Sequence, residues 1–127
     1  MLVFSDVKQP VGILNGFLKF CKDHSLKHKV IPSIKGRDLS ENEIYFVLDD
    51  KNLIRVVKKI KEQQFLIAKN VGIVSLNDTI LKEVVANGIN TISTNFNFMG
   101  QTLAEMILNN NKGSLENPSN YIKRNSL

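Results

Sequence analysis

Short apolar runs rich in β-branched and aromatic residues alternate along this chain with longer segments whose apolar positions step by three and four. The two periods predict strands and helices in turn. Strands are predicted at residues 2–5 (LVFS), 29–31, 44–48 (IYFVL), 71–76 (VGIVSL), 91–94 (TIST) and, with a weaker pattern, 121–124. Most are continuous apolar runs, as expected of strands buried on both faces of a parallel sheet. Between them, Ile13, Leu14, Phe17, Leu18 and Cys21 share one helical face, and Leu53, Val56, Val57 and Ile60 share another. A third helix is predicted over 79–86, with Asn77 or Asp78 to cap its start and Gly88 to end it in the left-handed conformation. The fourth spans about 98–110 and presents Met99, Leu103, Met106 and Ile107 on one side before Asn-Asn-Asn-Lys-Gly breaks it. The order β-α-β-β-α-β-α-β-α-β predicts an α/β fold, a three-layer sandwich with a mainly parallel sheet and right-handed crossovers.

Composition narrows the reading. A chain of 127 residues, 43% hydrophobic, supports one domain, 1–127. It carries no run of about 20 apolar residues and no signal-peptide pattern, so neither a membrane span nor secretion is predicted. The single cysteine, Cys21, makes no internal disulfide, and two histidines give no zinc-ligand spacing, which fits a reducing, cytoplasmic setting with no metal or cofactor. The net charge of +5 permits polyanion contact. Much of that excess, however, lies in Lys51, Arg55, Lys58, Lys59 and Lys61, opposite an apolar face, where a solvated outer surface is the simpler reading than a DNA-binding helix.

In open parallel sheets ligands bind beyond the carboxyl ends of the strands. Four exits are legible: Ser5-Asp6, Asp49-Asp50, Asn77-Asp78 and Asn95 to Asn97. Their carboxylates and amides suit a polyhydroxylated or amide-bearing small molecule. Asp50 and Asp78 read equally as helix caps, whereas Asp49 and Asn77, one residue earlier, are better placed to face a cleft. Asn95 and Phe96 read as loop and core positions or as cleft contacts. Catalysis by Asp49 and Asp50 in a small flavodoxin-like metal-dependent or phosphotransfer enzyme is disfavoured, because adjacent residues leaving a strand point apart and no His, Lys or further Glu stands at a comparable exit. No phosphate-loop motif is present.

The order "IYFVLDDKNL", "GIVSLNDTILKEVVANGINTISTNFNFMGQTLAEMIL" and the closing "YIKRNSL" resembles the C-terminal half of the effector-sensing domain of lactose-repressor and galactose-repressor type transcription regulators. That domain is itself similar to type I periplasmic sugar-binding proteins. The likeness begins at Gly16-Phe17, and "NDTILKEVVANGINTISTNF" is most similar to GntR-class winged-helix regulators that carry such a sensor. The resemblance implies one lobe of a periplasmic-binding-protein-like fold, without catalysis, that binds a small polar effector, a sugar by analogy. Asp49 and Asn77 would contact the effector, Phe96 would be a cleft or hinge aromatic, Thr94 beside it a polar contact, and Arg124 would be structural; Asp50 and Asp78 join them as ligand candidates from their strand-exit positions alone. Ile13 stands where the family usually has a sugar-gripping Arg.

The resemblance also implies a fragment: in the family a first lobe and the DNA-binding module precede this segment. The element at 97–119 normally packs on that lobe, so its apolar face predicts a homodimer, with or without a swapped helix. An extracytoplasmic solute-binding protein of the same fold is the alternative.

Overall fold

The computed structural model describes the backbone of Leu2 and Val3 and all of residues 9–127. Along the chain run β1 (Leu2–Val3), α1 (Val11–Asp23), β2 (Val30–Ile31), β3 (Glu43–Val47), α2 (Asp50–Glu62), β4 (Val71–Leu76), α3 (Ile80–Val84), β5 (Asn90–Thr94), α4 (Phe96–Leu108) and β6 (Ser119–Ile122). The strands form one sheet in the order β2-β1-β3-β4-β5-β6. All neighbours pair in parallel except β5 and β6, which are antiparallel. This is the mainly parallel α/β architecture that the alternating periods predict.

The core forms where α2 lies on β3 and β4. Leu53, Val56 and Ile60 recur at helical spacing and meet Tyr45, Val47, Val71 and Ile73 from the sheet, with Ile34, Leu39 and Ile89 closing the sides. Tyr45 shows why a polar tip survives here. Its ring is buried, its hydroxyl accepts from the Ser40 N–H and donates to Glu43, each at 2.9 Å, and burial pushes its pKa up to about 12. On the far side of the sheet Cys21 is the buried residue of α1, a packing role as expected, and Phe17 stacks near Phe46 with ring centroids 6.3 Å apart.

Three elements differ from the periodicity. The third helix is only α3 plus a 3-10 turn at Val85–Asn87; Ala86, Asn87 and Gly88 all have positive φ, so the chain leaves the helix two residues before the glycine. Its cap is Thr79, whose side chain accepts from the Lys82 N–H, and neither Asn77 nor Asp78. Helix α4 starts at Phe96 because Asn95 caps it, accepting from the Phe98 N–H at 3.0 Å. Strand β6 begins at the polar Ser119 and ends at Ile122: at a sheet edge, ladder hydrogen bonds define a strand without an apolar face, and the Arg124 N–H leaves the ladder for the side chain of Asn90.

Helix α4 buries none of its residues; Leu103 is 53% and Ile107 77% exposed, while Met99 and Met106 are half-buried. Among the described residues no helix is long and apolar enough to cross a membrane.

Candidate functional site at the carboxyl edge of the sheet

The carboxyl ends of β3, β4 and β5 bring together most of the residues expected at the site. Val47 and Ser75 are the last paired positions of β3 and β4, and Asp49 and Asn77 each lie two residues further on. Equal offsets from a parallel register put the two side by side at one rim of the sheet. The Ser5-Asp6 exit lies outside the described residues.

Asp49 is the helix cap that the sequence reading gave to Asp50. Its Oδ1 accepts from the Asn52 N–H and its Oδ2 from the Asn52 amide Nδ2, each at 2.8 Å. A carboxylate has about four lone-pair sites, so two stay open, held in a defined orientation by Asn52. Asp50 is instead the first residue of α2, exposed, and its Oδ1 lies 3.1 Å from the Lys82 ammonium. The adjacent carboxylates thus serve different partners and do not converge on a metal; among the described residues there is no group of three or more potential metal ligands.

Asn77 occupies the left-handed region with φ of 56°. Its backbone N–H donates to the Ile92 carbonyl at 2.8 Å and its side-chain Oδ1 accepts from the Thr94 N–H at 3.4 Å. The two Nδ2 donors make no bond within the described residues. Thr94 therefore meets Asn77 through its backbone.

Asp78 neither caps a helix nor points freely into a cleft. Both its oxygens are clasped by Arg124, at 2.7 and 2.9 Å, and the Thr91 hydroxyl donates to Oδ1 at 3.1 Å. The guanidinium beside it holds the carboxyl below the usual carboxylate range, and the carboxylate raises Arg124 in turn. The pair is structural, tying the last residues of the chain to the β4 exit. Phe96, 51% exposed, opens α4 rather than lying in a loop.

Two features escaped the sequence reading. Buried Asn52 accepts through Oδ1 from the Ser33 hydroxyl, the Ile34 N–H and Arg55 at 3.1 to 3.4 Å, so one face of the supposedly solvated basic helix is bonded to the chain after β2. Lys82 reaches the exits from α3, within a helix rather than at a strand end; a lysine within an amphipathic turn carries no sequence mark of burial.

Alanine at position 49 is expected to destabilise the chain by about 1–2 kcal/mol, from loss of the cap and from leaving the Asn52 amide unmatched. Urea unfolding checks this, and an unchanged midpoint would show that Asp49 does not cap.

No protein-family model matches the chain, and no curated protein does. Solved structures match over nearly its whole length. They include the Lac repressor bound to ONPG (TM-score 0.72, 16% identity, 100% of this chain and 45% of that one). They also include a LacI-family transcriptional regulator from Enterococcus faecium with bound ribose (0.68, 18%, 98% and 55%) and the Escherichia coli transcriptional repressor ascG (0.73, 15%, 99% and 55%). At these identities the likeness is one of fold. The chain spans about half the length of the structures it matches. None of these three is described as a GntR-class regulator, so the nearer resemblance to that class gains no support from them.

Proposed function

We propose that this chain is the effector-sensing lobe of a bacterial transcription regulator, acting in the cytoplasm without catalysis or cofactor. The observation that carries the reading is the pairing of Asp49 and Asn77 at equal offset beyond adjacent parallel strands, one offering oriented acceptors and the other free amide donors. That combination recognises a vicinal pair of hydroxyls, which donate to the carboxylate and accept from the amide. A small polar molecule, with a sugar as the expected class, fits. The bound ribose and ONPG of two similar structures support the same class.

An edge contacts only one side of a ligand, and a half-length match on a two-lobe fold supports a second lobe on the other. The ligand would close the lobes and shift the population of a dimer between DNA-binding and released arrangements, through a DNA-binding module outside this chain. The apolar side of α4 and the segment over 97–119 would then pack on the second lobe or, in its absence, on another copy. Ile13, half-buried in α1, supplies no cation to grip a sugar, so orientation falls to Asp49 and Asn77.

The test begins with the coding region upstream of codon 1. A DNA-binding segment followed by a first α/β lobe is expected, and the longer protein is then titrated calorimetrically against a panel of mono- and disaccharides. Saturable binding that falls at least about tenfold in Asn77→Ala, the cost of one hydrogen bond to a ligand left unmade, supports the reading. Residues 1–127 alone are expected to bind weakly or not at all. Micromolar binding by that half would overturn the need for a second lobe, and a signal peptide upstream would overturn the regulator assignment in favour of solute capture.

A further inference from the structure

Lys82 is 2% exposed, yet it sits among polar partners that belong to two different strand exits. Its ammonium donates to the carbonyls of Leu76 and Asn77, each at 2.7 Å, and lies 3.1 Å from Asp50 Oδ1. An ammonium has three donors, and burial is tolerated only when they are met; here two carbonyls and one carboxylate meet them. Leu76 ends β4 and Asn77 follows it, whereas Asp50 opens α2 just after the Asp49 cap.

The contact also bears on a residue in the left-handed region. Asn tolerates that region better than other residues with a side chain, and its neighbours then decide whether it stays there. Asn77 is held by its N–H on Ile92 and by its carbonyl on Lys82, and in that conformation its side-chain oxygen reaches the Thr94 N–H. The carbonyl contact comes from outside the sheet, so it is the one that links Asn77 to α2.

We propose that Lys82 is a positioning residue, a clamp that holds Asn77 in its left-handed conformation and couples it through Asp50 to the first turn of α2, so that Asn77 and Asp49 are set as one unit. The inference deepens the effector reading and rests on it for its purpose, but the clamp is measurable without any effector.

Nitrogen-15-labelled protein carrying Asp50→Asn tests it. The replacement is on an exposed side chain and takes away the charge that fixes the Lys82 ammonium against the two carbonyls. Through the clamp, the backbone resonances of Asn77 and Thr94 move and the Thr94 amide exchanges with solvent at least about tenfold faster, while Val47 and Ile73 keep their protection. In a Lys82→Met background the same Asp50→Asn change has no further effect on Asn77 or Thr94, which a merely structural lysine would not require. Shifts confined to the first turn of α2, or an undiminished Asp50→Asn effect in Lys82→Met, overturn the clamp. Should Lys82→Met fail to fold, the Asp50→Asn spectrum decides alone. A clamp that passes in a protein whose longer form binds no small polar ligand would stand while the effector reading falls.

Discussion

Asn90→Ala is expected to cost about 2–4 kcal/mol, among the largest single losses available in this chain. Asn90 is fully buried at the start of β5, and its Oδ1 accepts from the Arg124 N–H at 3.0 Å and from the Ser126 N–H at 3.1 Å. Its Nδ2 donates to the Tyr121 hydroxyl at 2.6 Å. One side chain thus receives the chain as it leaves β6. Alanine would strand two backbone donors in a dry site, and leaving a buried donor unmade costs about 1–3 kcal/mol, more than the bond itself contributes. Ser126 adds a second anchor, donating to the Ile73 carbonyl and accepting from the Asn90 N–H, each at 2.7 Å. The expected unfolding is therefore polar in origin: the C-terminal residues detach first, and hydrogen exchange at Ile73, whose N–H donates to the Ser126 carbonyl at 2.7 Å, rises with them. Equilibrium unfolding in urea gives the magnitude. A loss below about half a kcal/mol would mean that solvent replaces the asparagine and that the knot is not closed.

Arg124→Met is the second large effect, and it carries a pH signature. The guanidinium donates to both Asp78 oxygens and to the Ile89 carbonyl at 3.0 Å, and its stem packs against Gly88, where φ of 99° already excludes most side chains. Breaking a buried pair costs about 3–5 kcal/mol; partial solvent access to both partners reduces the expected loss to about 2–3. Asp78 binds its proton more weakly in the folded chain than in the unfolded one. Its contribution is therefore complete above the ordinary carboxylate pKa of about 3.9 and is lost as pH falls through the lower folded value. Stability of the native sequence should decline on acidification through that window, and Arg124→Met, already lacking the pair, should decline less. Parallel acid slopes for the two proteins would show that the pair is not the source.

These two networks explain where sequence reading stopped. The β-α alternation, the three-and-four spacing of Leu53, Val56 and Ile60, and the continuous run over Val71–Leu76 are local patterns, and each formed the element it predicted. The strand exits were legible as well, since an exit is simply the first polar residue after an apolar run. What such a residue does there was not. Asp49 caps α2 whereas Asp50 pairs with Lys82, and nothing in "LDDKN" separates them; the difference is where α2 begins relative to β3. Asp78 reads as a cap until Arg124, 46 residues away, claims both its oxygens. Strand β6 was placed two residues late because an edge strand is defined by ladder bonds to β5 rather than by buried side chains.

By itself, then, the sequence determined the class of each segment, the parallel layering and the rim at which polar groups collect, because periodicity, propensity and turn chemistry act within a few residues. Only the tertiary structure decided which polar groups at that rim are spent on the protein itself and which are left for a ligand. That choice depends on partners such as Lys82, Asn90 and Arg124 that arrive from distant positions, and a hydrogen bond or ion pair has no period along the chain by which it could be read.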